Sequence, residues 1–326
     1  MRTLDRFELL GYCTGNSAVV FEVLADDGRH LRLKCYTRPK DNLEAIYGQR
    51  LLKEELYVFT GDGGVWTDVV VDEWIEGTTL GEAIGTAARK GDKEVLAALA
   101  GKFDLLVRGM LAREWAHGDL KPDNIIVTDE GELRLIDFDA VYIPSLRNAE
   151  SRCREVGTAA WQHPSRSSAD YDRHMDDYPA AMISTLLHAL AVEPSIYDRF
   201  ADADEMVLDS RRIAGAGCPA LEHIERMFAE RGMAVQYRVA GLLRSKAYIL
   251  PQLDEYLSYG GCGGVCRGGE PELVMRNGLY GCTCGGEMVV PPLYDDVSIC
   301  GDGVVEVVLG GVRHRAECTR MEYQKV

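Results

Sequence analysis

Four polar side chains in the middle of the sequence have the chemistry that transfer of a phosphoryl group from ATP requires. Asp119, Lys121 and Asn124 lie within residues 117–127, and Asp137 follows thirteen residues after Asn124. Such a transfer needs one carboxylate to accept or orient the hydroxyl proton and one cation to neutralise the transferring group. An amide and a second carboxylate then hold Mg²⁺. The four residues therefore indicate ATP- and Mg²⁺-dependent phosphoryl transfer.

The order and spacing of these residues resemble the catalytic loop and metal-binding strand of eukaryotic-like serine/threonine protein kinases. The resemblance covers about residues 7–257. It implies an α+β fold with two lobes, a protein substrate, and ATP with Mg²⁺ or Mn²⁺ as cofactors. Asp119 matches the catalytic base, and Lys121 matches the lysine that contacts the γ-phosphate. Asn124 and Asp137 match the two metal ligands.

Further positions match the nucleotide-binding residues of this family. Lys34, on the predicted third strand, matches the lysine that holds the α- and β-phosphates. Its expected partner is a glutamate on the next helix, for which Glu44 is preferred because Glu54 leaves almost no chain before the following strand. The hinge that pairs with the adenine edge is expected at residues 72–77. The other expected nucleotide contacts are Gly11, Gly15, Val20, Glu73, Ile75 and Ile126.

The chain after the metal-binding strand also fits the resemblance. Residues 157–164 match the end of an activation segment, where a peptide hydroxyl docks. Asp177 matches the aspartate that bonds to the catalytic-loop backbone, with a simple helix N-cap as the alternative. The runs at 137–144 and 162–164 are similar to those of a bacterial branch of these kinases.

Three departures from the family pattern bear on activity. Gly118 replaces an arginine that commonly reads a phosphate on the activation segment, which indicates an enzyme that this phosphate does not switch. Asp139 replaces the glycine of the Asp-Phe-Gly motif and adds a negative charge near the metal. Arg32 stands where an alanine usually faces the adenine and could block the base. Because the four catalytic groups are intact, an active kinase is favoured, and a pseudokinase scaffold that binds partners is the alternative.

A small-molecule kinase is a second alternative. Residues 117–119 read His-Gly-Asp, as in the loops of aminoglycoside and choline kinases. Those enzymes generally lack a lysine two residues after the aspartate, and they lack a Gly-Thr segment that docks a peptide. Lys121 and the pair Gly157-Thr158 therefore favour a serine or threonine hydroxyl on a protein.

The elements that must position these residues follow from hydrophobic periodicity and turn signals. Residues 1–75 are expected to form a β-rich N-lobe, in which one helix begins at Asp41 or Asn42 and reaches Leu52. Residues 76–258 are expected to form a helical C-lobe. Its expected helices lie within 79–115 and at 177–191, 219–231 and 235–243, and its short strands lie at 125–128 and 133–136.

A compositional change marks the C-terminal part of the chain. A glycine-rich linker is expected at 259–269, and a β-rich module at 270–326. Residues 277–297 resemble a WG-type β repeat, with Tyr280 in the tryptophan position. This resemblance implies a module that binds a protein partner and does not catalyse.

Four cysteines of this part are candidate ligands of a structural zinc site: Cys262, Cys266, Cys282 and Cys284. Neither pair has the usual internal spacing of two residues, so Zn²⁺ is disfavoured. The chain is large and its beginning shows no secretory signal, so its ten cysteines are expected to be reduced.

Composition excludes several other classes of protein. The 326 residues carry 36 lysines and arginines against 52 aspartates and glutamates, a net charge of −16. So acidic a chain is a poor non-specific ligand for nucleic acid or anionic lipid. Its longest mostly apolar stretch, 179–192, is too short to cross a bilayer. A cytoplasmic protein without nucleic-acid or membrane partners is therefore expected.

Overall fold

The computed structural model describes residues 12–14, 17–60, 63–148, 155–215, 217–260, 270–301, 304–317 and 323–325. An antiparallel sheet near the N-terminus is followed by a largely helical part and then by two small antiparallel sheets. This order of elements is compatible with the expected two-lobed fold and with a β-rich C-terminal part. Within the ranges above, every helix is too short or too polar to span a membrane.

The N-terminal sheet brings Lys34 to one of its faces. Lys34 lies opposite Val20 on one neighbouring strand and opposite Val70 on the other. Since directly opposed residues of an antiparallel pair share a face, the three side chains lie side by side. The strand order is β1-β2-β3-β5-β4. The strands are β1 (Tyr12–Thr14), β2 (Ala18–Leu24), β3 (His30–Tyr36), β4 (Leu51–Thr60) and β5 (Gly63–Glu73).

The helix between β3 and β4 is much shorter than the sequence pattern predicts. Helix α1 spans only Leu43–Tyr47, and the chain leaves it at Gly48, which takes a φ of +53°. That conformation is open to glycine at little cost and ends the helical path. Leu52, expected on the helix, belongs instead to β4 and lies opposite Val69.

The helical part is built around α4, which is buried on nearly all sides and packs along α3. A capping box begins α2: Thr79 Oγ1 accepts from the Glu82 N–H, and the Glu82 carboxylate accepts from the Thr79 N–H, each at 3.2 Å. A small sheet of order β6-β7-β8 precedes α4. The elements are β6 (Thr78–Thr79), α2 (Leu80–Lys90), α3 (Lys93–Leu111), β7 (Ile125–Val127), β8 (Leu133–Leu135), α4 (Asp177–Val192), α5 (Ile196–Phe200), α6 (Ser210–Ala214), α7 (Pro219–Glu230), α8 (Ala234–Leu242) and α9 (Leu253–Ser258).

The C-terminal sheets pack directly on the helices. Apolar residues of the sheets, such as Leu293 and Val305, are fully buried in the same core as the helices. Arg238 of α8 donates to the Leu293 carbonyl and pairs with Asp295, both at 2.7 Å. The two sheets have the orders β11-β10-β9 and β12-β13-β14-β15. Their strands are β9 (Pro271–Arg276), β10 (Leu279–Cys284), β11 (Glu287–Tyr294), β12 (Asp296–Gly301), β13 (Val304–Leu309), β14 (Val312–Glu317) and β15 (Tyr323–Lys325).

Candidate active site

A buried aspartate immediately before α4 holds the catalytic loop. The Asp176 carboxylate accepts hydrogen bonds from the backbone N–H groups of His117 and Gly118, the second at 2.9 Å. Burial raises the pKa of Asp176, while the charge of His117 and the two N–H donors act in the opposite direction. This pair of hydrogen bonds fixes the backbone just ahead of the catalytic aspartate candidate.

Asp177, which the sequence favoured for this role, points elsewhere. Its carboxylate accepts a hydrogen bond from the Leu250 N–H at 2.9 Å. Successive residues of a helical turn point about 100° apart, so only one of two adjacent aspartates can face the loop. Sequence spacing could not separate Asp176 from its neighbour, because the family pattern fixes only the approximate position of this carboxylate.

Gly118 is needed where the catalytic loop meets the chain that follows the metal strand. It has a φ of +82°, and a Cβ atom there would lie 2.1 Å from the carbonyl oxygen of Ala140. The buried guanidinium of Arg166 donates to the Gly118 carbonyl at 2.9 Å. Burial lowers the pKa of Arg166, although nearby carboxylates raise it. The glycine therefore has a packing role that its comparison with the family's arginine did not reveal.

The Asp119 carboxylate is the centre of the site. Its Oδ1 accepts from the Thr158 N–H at 2.6 Å, and its Oδ2 lies 3.5 Å from Lys121 Nζ. Asn124 Nδ2 donates to the Asp119 carbonyl at 2.8 Å and lies 3.3 Å from Oδ2. Burial raises the pKa of Asp119, but the Lys121 charge and the Thr158 hydrogen bond outweigh it, so the pKa lies below its ordinary value. The carboxylate is thus ionised and oriented at neutral pH.

The end of the expected activation segment docks on this loop. Lys121 Nζ donates to Thr158 Oγ1 at 3.0 Å. Gly157 precedes it with a φ of +76°, and a Cβ atom there would lie 2.9 Å from Asp119 Oδ1. Asp119, Lys121 and a side-chain hydroxyl are therefore brought together, as transfer to a hydroxyl requires.

The two expected metal ligands lie on neighbouring backbone segments. The Ile136 N–H donates to the Asn124 carbonyl at 2.9 Å, which holds the residue before Asp137 against the loop. His117 Nε2 donates to the Ile136 carbonyl at 2.8 Å. Asn124 uses its amide nitrogen on Asp119, which leaves its amide oxygen as a ligand, and the Asp137 carboxylate is 41% exposed. These hard oxygen donors fit Mg²⁺.

Lys34 is buried and ion-paired with two carboxylates of the turn that follows β8. Its Nζ lies 2.5 Å from Asp137 Oδ1 and 2.7 Å from Asp139 Oδ2. Asp139 is itself buried. Its carboxylate also receives hydrogen bonds from the hydroxyls of Tyr36 at 2.8 Å and Tyr47 at 2.6 Å. The sequence marked Asp139 as a departure but did not reveal these contacts, since their sequence separations are about a hundred residues.

Glu44, the expected partner of Lys34, does not reach it. Its side chain is 76% exposed and pairs with Lys53 at 2.6 Å. The alternative candidate, Glu54, lies on β4 as an exposed residue with a φ of +49°. The expectation fails because α1 has only five residues and directs Tyr47, not a glutamate, toward the metal strand.

The expected hinge residues follow the end of β5. Glu73 is the last residue of β5 and lies opposite Leu31, and Ile75 is partly buried just beyond it. The Trp74 N–H donates to the His30 carbonyl at 3.1 Å. This hydrogen bond connects the expected hinge to the first residue of β3, the strand that carries Lys34.

The expected floor of the base pocket contacts this hinge. Ile126 lies on β7, opposite Thr79 of β6. A Cβ atom at Gly77 would lie 2.8 Å from Ile126 Cγ2 and 2.2 Å from the Val127 carbonyl oxygen. Gly77 has a φ of +144°, so only glycine permits this close approach. The sequence did not single out Gly77 within the hinge run.

Arg32 lies on the same sheet face as Lys34, two residues along β3 toward the hinge. It lies opposite Asp72 on β5, and its guanidinium is 3.4 Å from the Asp72 carboxylate, which Arg50 approaches to 2.9 Å. Its side chain is 12% exposed. Its Nε is buried and has no hydrogen-bond partner among the described residues. The position that the resemblance expects to face the base thus carries a charged and incompletely hydrogen-bonded side chain.

Several expected residues lie outside the described ranges: Gly11, Gly15, Cys262 and Cys266. Of the other two cysteines weighed for zinc, Cys282 is buried and Cys284 is disulfide-bonded. A disulfide sulfur is not a thiolate ligand, so Cys284 does not complete a four-thiolate zinc site. The expectation that the cysteines are reduced is wrong for Cys284.

Comparison with known proteins identifies a similarity over part of the chain. No family model matches the chain. A segment of 96 residues, 29% of this chain, is 32% identical to a protein of Encephalitozoon cuniculi (strain GB-M1) described as a probable cAMP-dependent protein kinase catalytic subunit. The segment covers 27% of that relative. The similarity supports the resemblance to the protein kinase-like superfamily and, in general terms, phosphoryl transfer. Over less than a third of its length, the chain is therefore similar to a protein kinase catalytic subunit.

Proposed function

We propose that the chain is a protein kinase that transfers the γ-phosphoryl group of ATP to serine or threonine hydroxyls of a protein substrate. The observation that carries the proposal is the arrangement around Asp119. Its ionised carboxylate is oriented by the Thr158 N–H and by Asn124, with the Lys121 ammonium 3.5 Å away. A general base and a cation at one point are what transfer to a hydroxyl requires.

Each residue has a defined part in this proposal. Asp119 orients the substrate hydroxyl and accepts its proton. Lys121 stabilises the negative charge of the transferred phosphoryl group, and Lys34 fixes the α- and β-phosphates. Asn124 and Asp137 hold Mg²⁺ or Mn²⁺. When bound, the metal neutralises charge on the phosphate oxygens.

The base and the ribose would lie between the N-terminal sheet and β7. Val20 lies beside Lys34 on this sheet, and Ile126 lies on β7 against the hinge. The expected contacts at Gly11, Gly15, Glu73 and Ile75 complete this part of the proposal.

The Gly-Thr pair of the activation segment supports a protein substrate. Gly157 and Thr158 contact the catalytic residues directly, through the Thr158 bonds to Asp119 and Lys121. The C-terminal sheets, proposed as a WG-type module, would bind a protein partner. We place this activity in the cytoplasm.

Phosphate transfer from γ-labelled ATP tests the proposal. Wild type is compared with Asp119→Asn on the protein itself, on a generic basic protein and on an aminoglycoside. Asp123→Asn is the matched control, because it makes the same change at an exposed position of the same loop. Label on protein that disappears only in Asp119→Asn supports a protein kinase. Label on the aminoglycoside alone would identify a small-molecule kinase.

Arg32 favours a second candidate, a pseudokinase that acts by binding partners. Its guanidinium stands at the base-facing position, where it opposes entry of a nucleotide base. Titration calorimetry with ATP and Mg²⁺ separates the two candidates. Binding at micromolar nucleotide supports the kinase, whereas no binding at millimolar nucleotide would leave the scaffold as the better description.

A further inference from the structure

The carboxylates that contact Lys34 come from the turn after β8. Asp139 Oδ2 lies 2.7 Å from Lys34 Nζ, and both side chains are at least nine-tenths buried. Asp137, two residues earlier, contacts the same nitrogen through its Oδ1. One lysine is therefore held between two aspartates of a single turn.

The surroundings of Asp139 form a complete binding environment for a carboxylate, which we call the Asp139 socket (Lys34, Tyr36, Lys40 and Tyr47). Its Oδ1 accepts from both tyrosine hydroxyls, and its Oδ2 faces both ammonium groups, with Lys40 at 3.4 Å. A buried carboxylate is costly unless it is paired and hydrogen-bonded.

Helix α1 cannot supply this carboxylate. It ends at Gly48 after five residues, and its glutamate, Glu44, is exposed and paired with Lys53. The helix contributes Tyr47 instead, which donates to Asp139. The charge that contacts Lys34 is thus supplied by the turn after β8, and α1 supplies only a hydroxyl.

We propose that Asp139 is the positioning residue that aims Lys34 at the nucleotide phosphates, and that Glu44 has no part in this. The inference rests on the proposed function. It follows that the orientation of Lys34 depends on the turn that also carries Asp137, and that α1 contributes to it only through the Tyr47 hydroxyl. The aspartate in place of the motif's glycine is then a requirement for activity.

The first experiment compares Asp139→Asn with Glu44→Gln. Each replaces one carboxylate with the amide of the same shape. We expect Asp139→Asn to lower kcat/KM for ATP by about 100-fold, the size of effect that misplacement of a catalytic group produces. The KM for the protein substrate should not change. A general loss of the fold would instead alter both the kcat/KM for ATP and the KM for the protein substrate. Glu44→Gln should behave as wild type.

A double-mutant cycle shows whether Asp139 acts through Lys34. If it does, Asp139→Asn has little further effect on ATP affinity once Lys34→Ala has been made. ATP affinity measured by calorimetry serves for variants too slow to assay. Tyr47→Phe removes a single hydrogen bond to Asp139 without a change of charge. It should weaken ATP binding by about tenfold or less. This variant keeps the test decisive if Asp139→Asn does not fold.

The outcomes separate this inference from the proposed function. If wild type transfers phosphate while Asp139→Asn is fully active, or while Glu44→Gln is inactive, the inference is overturned and the kinase stands. If the effects of Asp139→Asn and Lys34→Ala simply add, Asp139 does not act through Lys34. If wild type neither binds ATP nor transfers phosphate, both the kinase and the role of Asp139 are rejected.

Discussion

The Asp176 carboxylate accepts hydrogen bonds from the backbone N–H groups of His117 and Gly118, the second at 2.9 Å. The Asp176 side chain lies in a residue that is only 4% exposed. A single buried side chain thus fixes the backbone ahead of Asp119. Because both of these bonds come from backbone N–H groups, Asp176 supports the loop.

Replacement of Asp176 by alanine should destabilise the protein strongly. Two buried N–H donors would lose their acceptor, at about 1–3 kcal/mol each. We expect the free energy of unfolding in urea to fall by about 2–6 kcal/mol. Asp198→Ala, at an exposed position of α5, is the control and should have little effect. Equal losses in the two variants would contradict the role of Asp176.

Gly118→Ala should disrupt the catalytic loop. The new Cβ would lie 2.1 Å from the Ala140 carbonyl, and the positive φ adds about 1–3 kcal/mol of strain. Gly101→Ala on α3 is the control, because its Cβ would meet nothing within 4 Å and alanine favours a helix. Thermal unfolding should place the first variant below wild type and the second at or above it. A stable, active Gly118→Ala would show that the catalytic loop can move away from the segment around Ala140.

Arg32→Ala should strengthen ATP binding. It removes a buried guanidinium, whose Nε has no hydrogen-bond partner in the described part of the chain, from the position proposed to face the base. Arg50 remains to pair with Asp72. We expect the Kd for ATP to fall by up to about tenfold, or ~1.4 kcal/mol. Calorimetry with Arg50→Ala as the control measures the change. Weaker binding in Arg32→Ala would indicate that the guanidinium contacts the nucleotide.

The stability contribution of Asp177 should depend on pH. Burial raises its pKa from 3.8 to about 6, although the Leu250 N–H acts in the opposite direction. Because this pKa is raised in the folded state, the contribution is fully present below about pH 4 and is lost as the pH rises through 6. The loss is about 3 kcal/mol.

Asp177→Asn cannot titrate, and its amide keeps a polar group beside the His174 ring, which lies 3.1 Å from Asp177 Oδ2. Relative to wild type, the free energy of unfolding of the variant should increase by about 3 kcal/mol between pH 4 and pH 7. Urea unfolding at a series of pH values measures the difference. A difference that stays constant over this range would contradict the raised pKa.

The sequence predicted the parts of the site that are close in the chain. Asp119, Lys121 and Asn124 share one short loop, so their spacing alone indicates that they meet. The expected helices at 177–191, 219–231 and 235–243 coincide with α4, α7 and α8 to within about one residue, because their apolar periodicity is strong.

The partner of Lys34 could not be predicted, for a physical reason. It depends on where α1 ends, and that is decided by one glycine, Gly48, and by the pairing of β4 with β5. The apolar residues at the end of the expected helix suit either a helix face or a strand. Only the three-dimensional structure reveals that Asp139 takes the place that the pattern gave to Glu44.

The contact of Arg238 with Leu293 and Asp295 has a consequence for the ancestry of the chain. Modules that recombine in evolution are normally joined by linkers that few contacts cross. Here the C-terminal sheets share a hydrophobic core with the helices, so neither part could be exchanged for a foreign one without exposing apolar surface. The two parts are therefore expected to be inherited together, with Arg238 and the Asp295 side chain changing in concert.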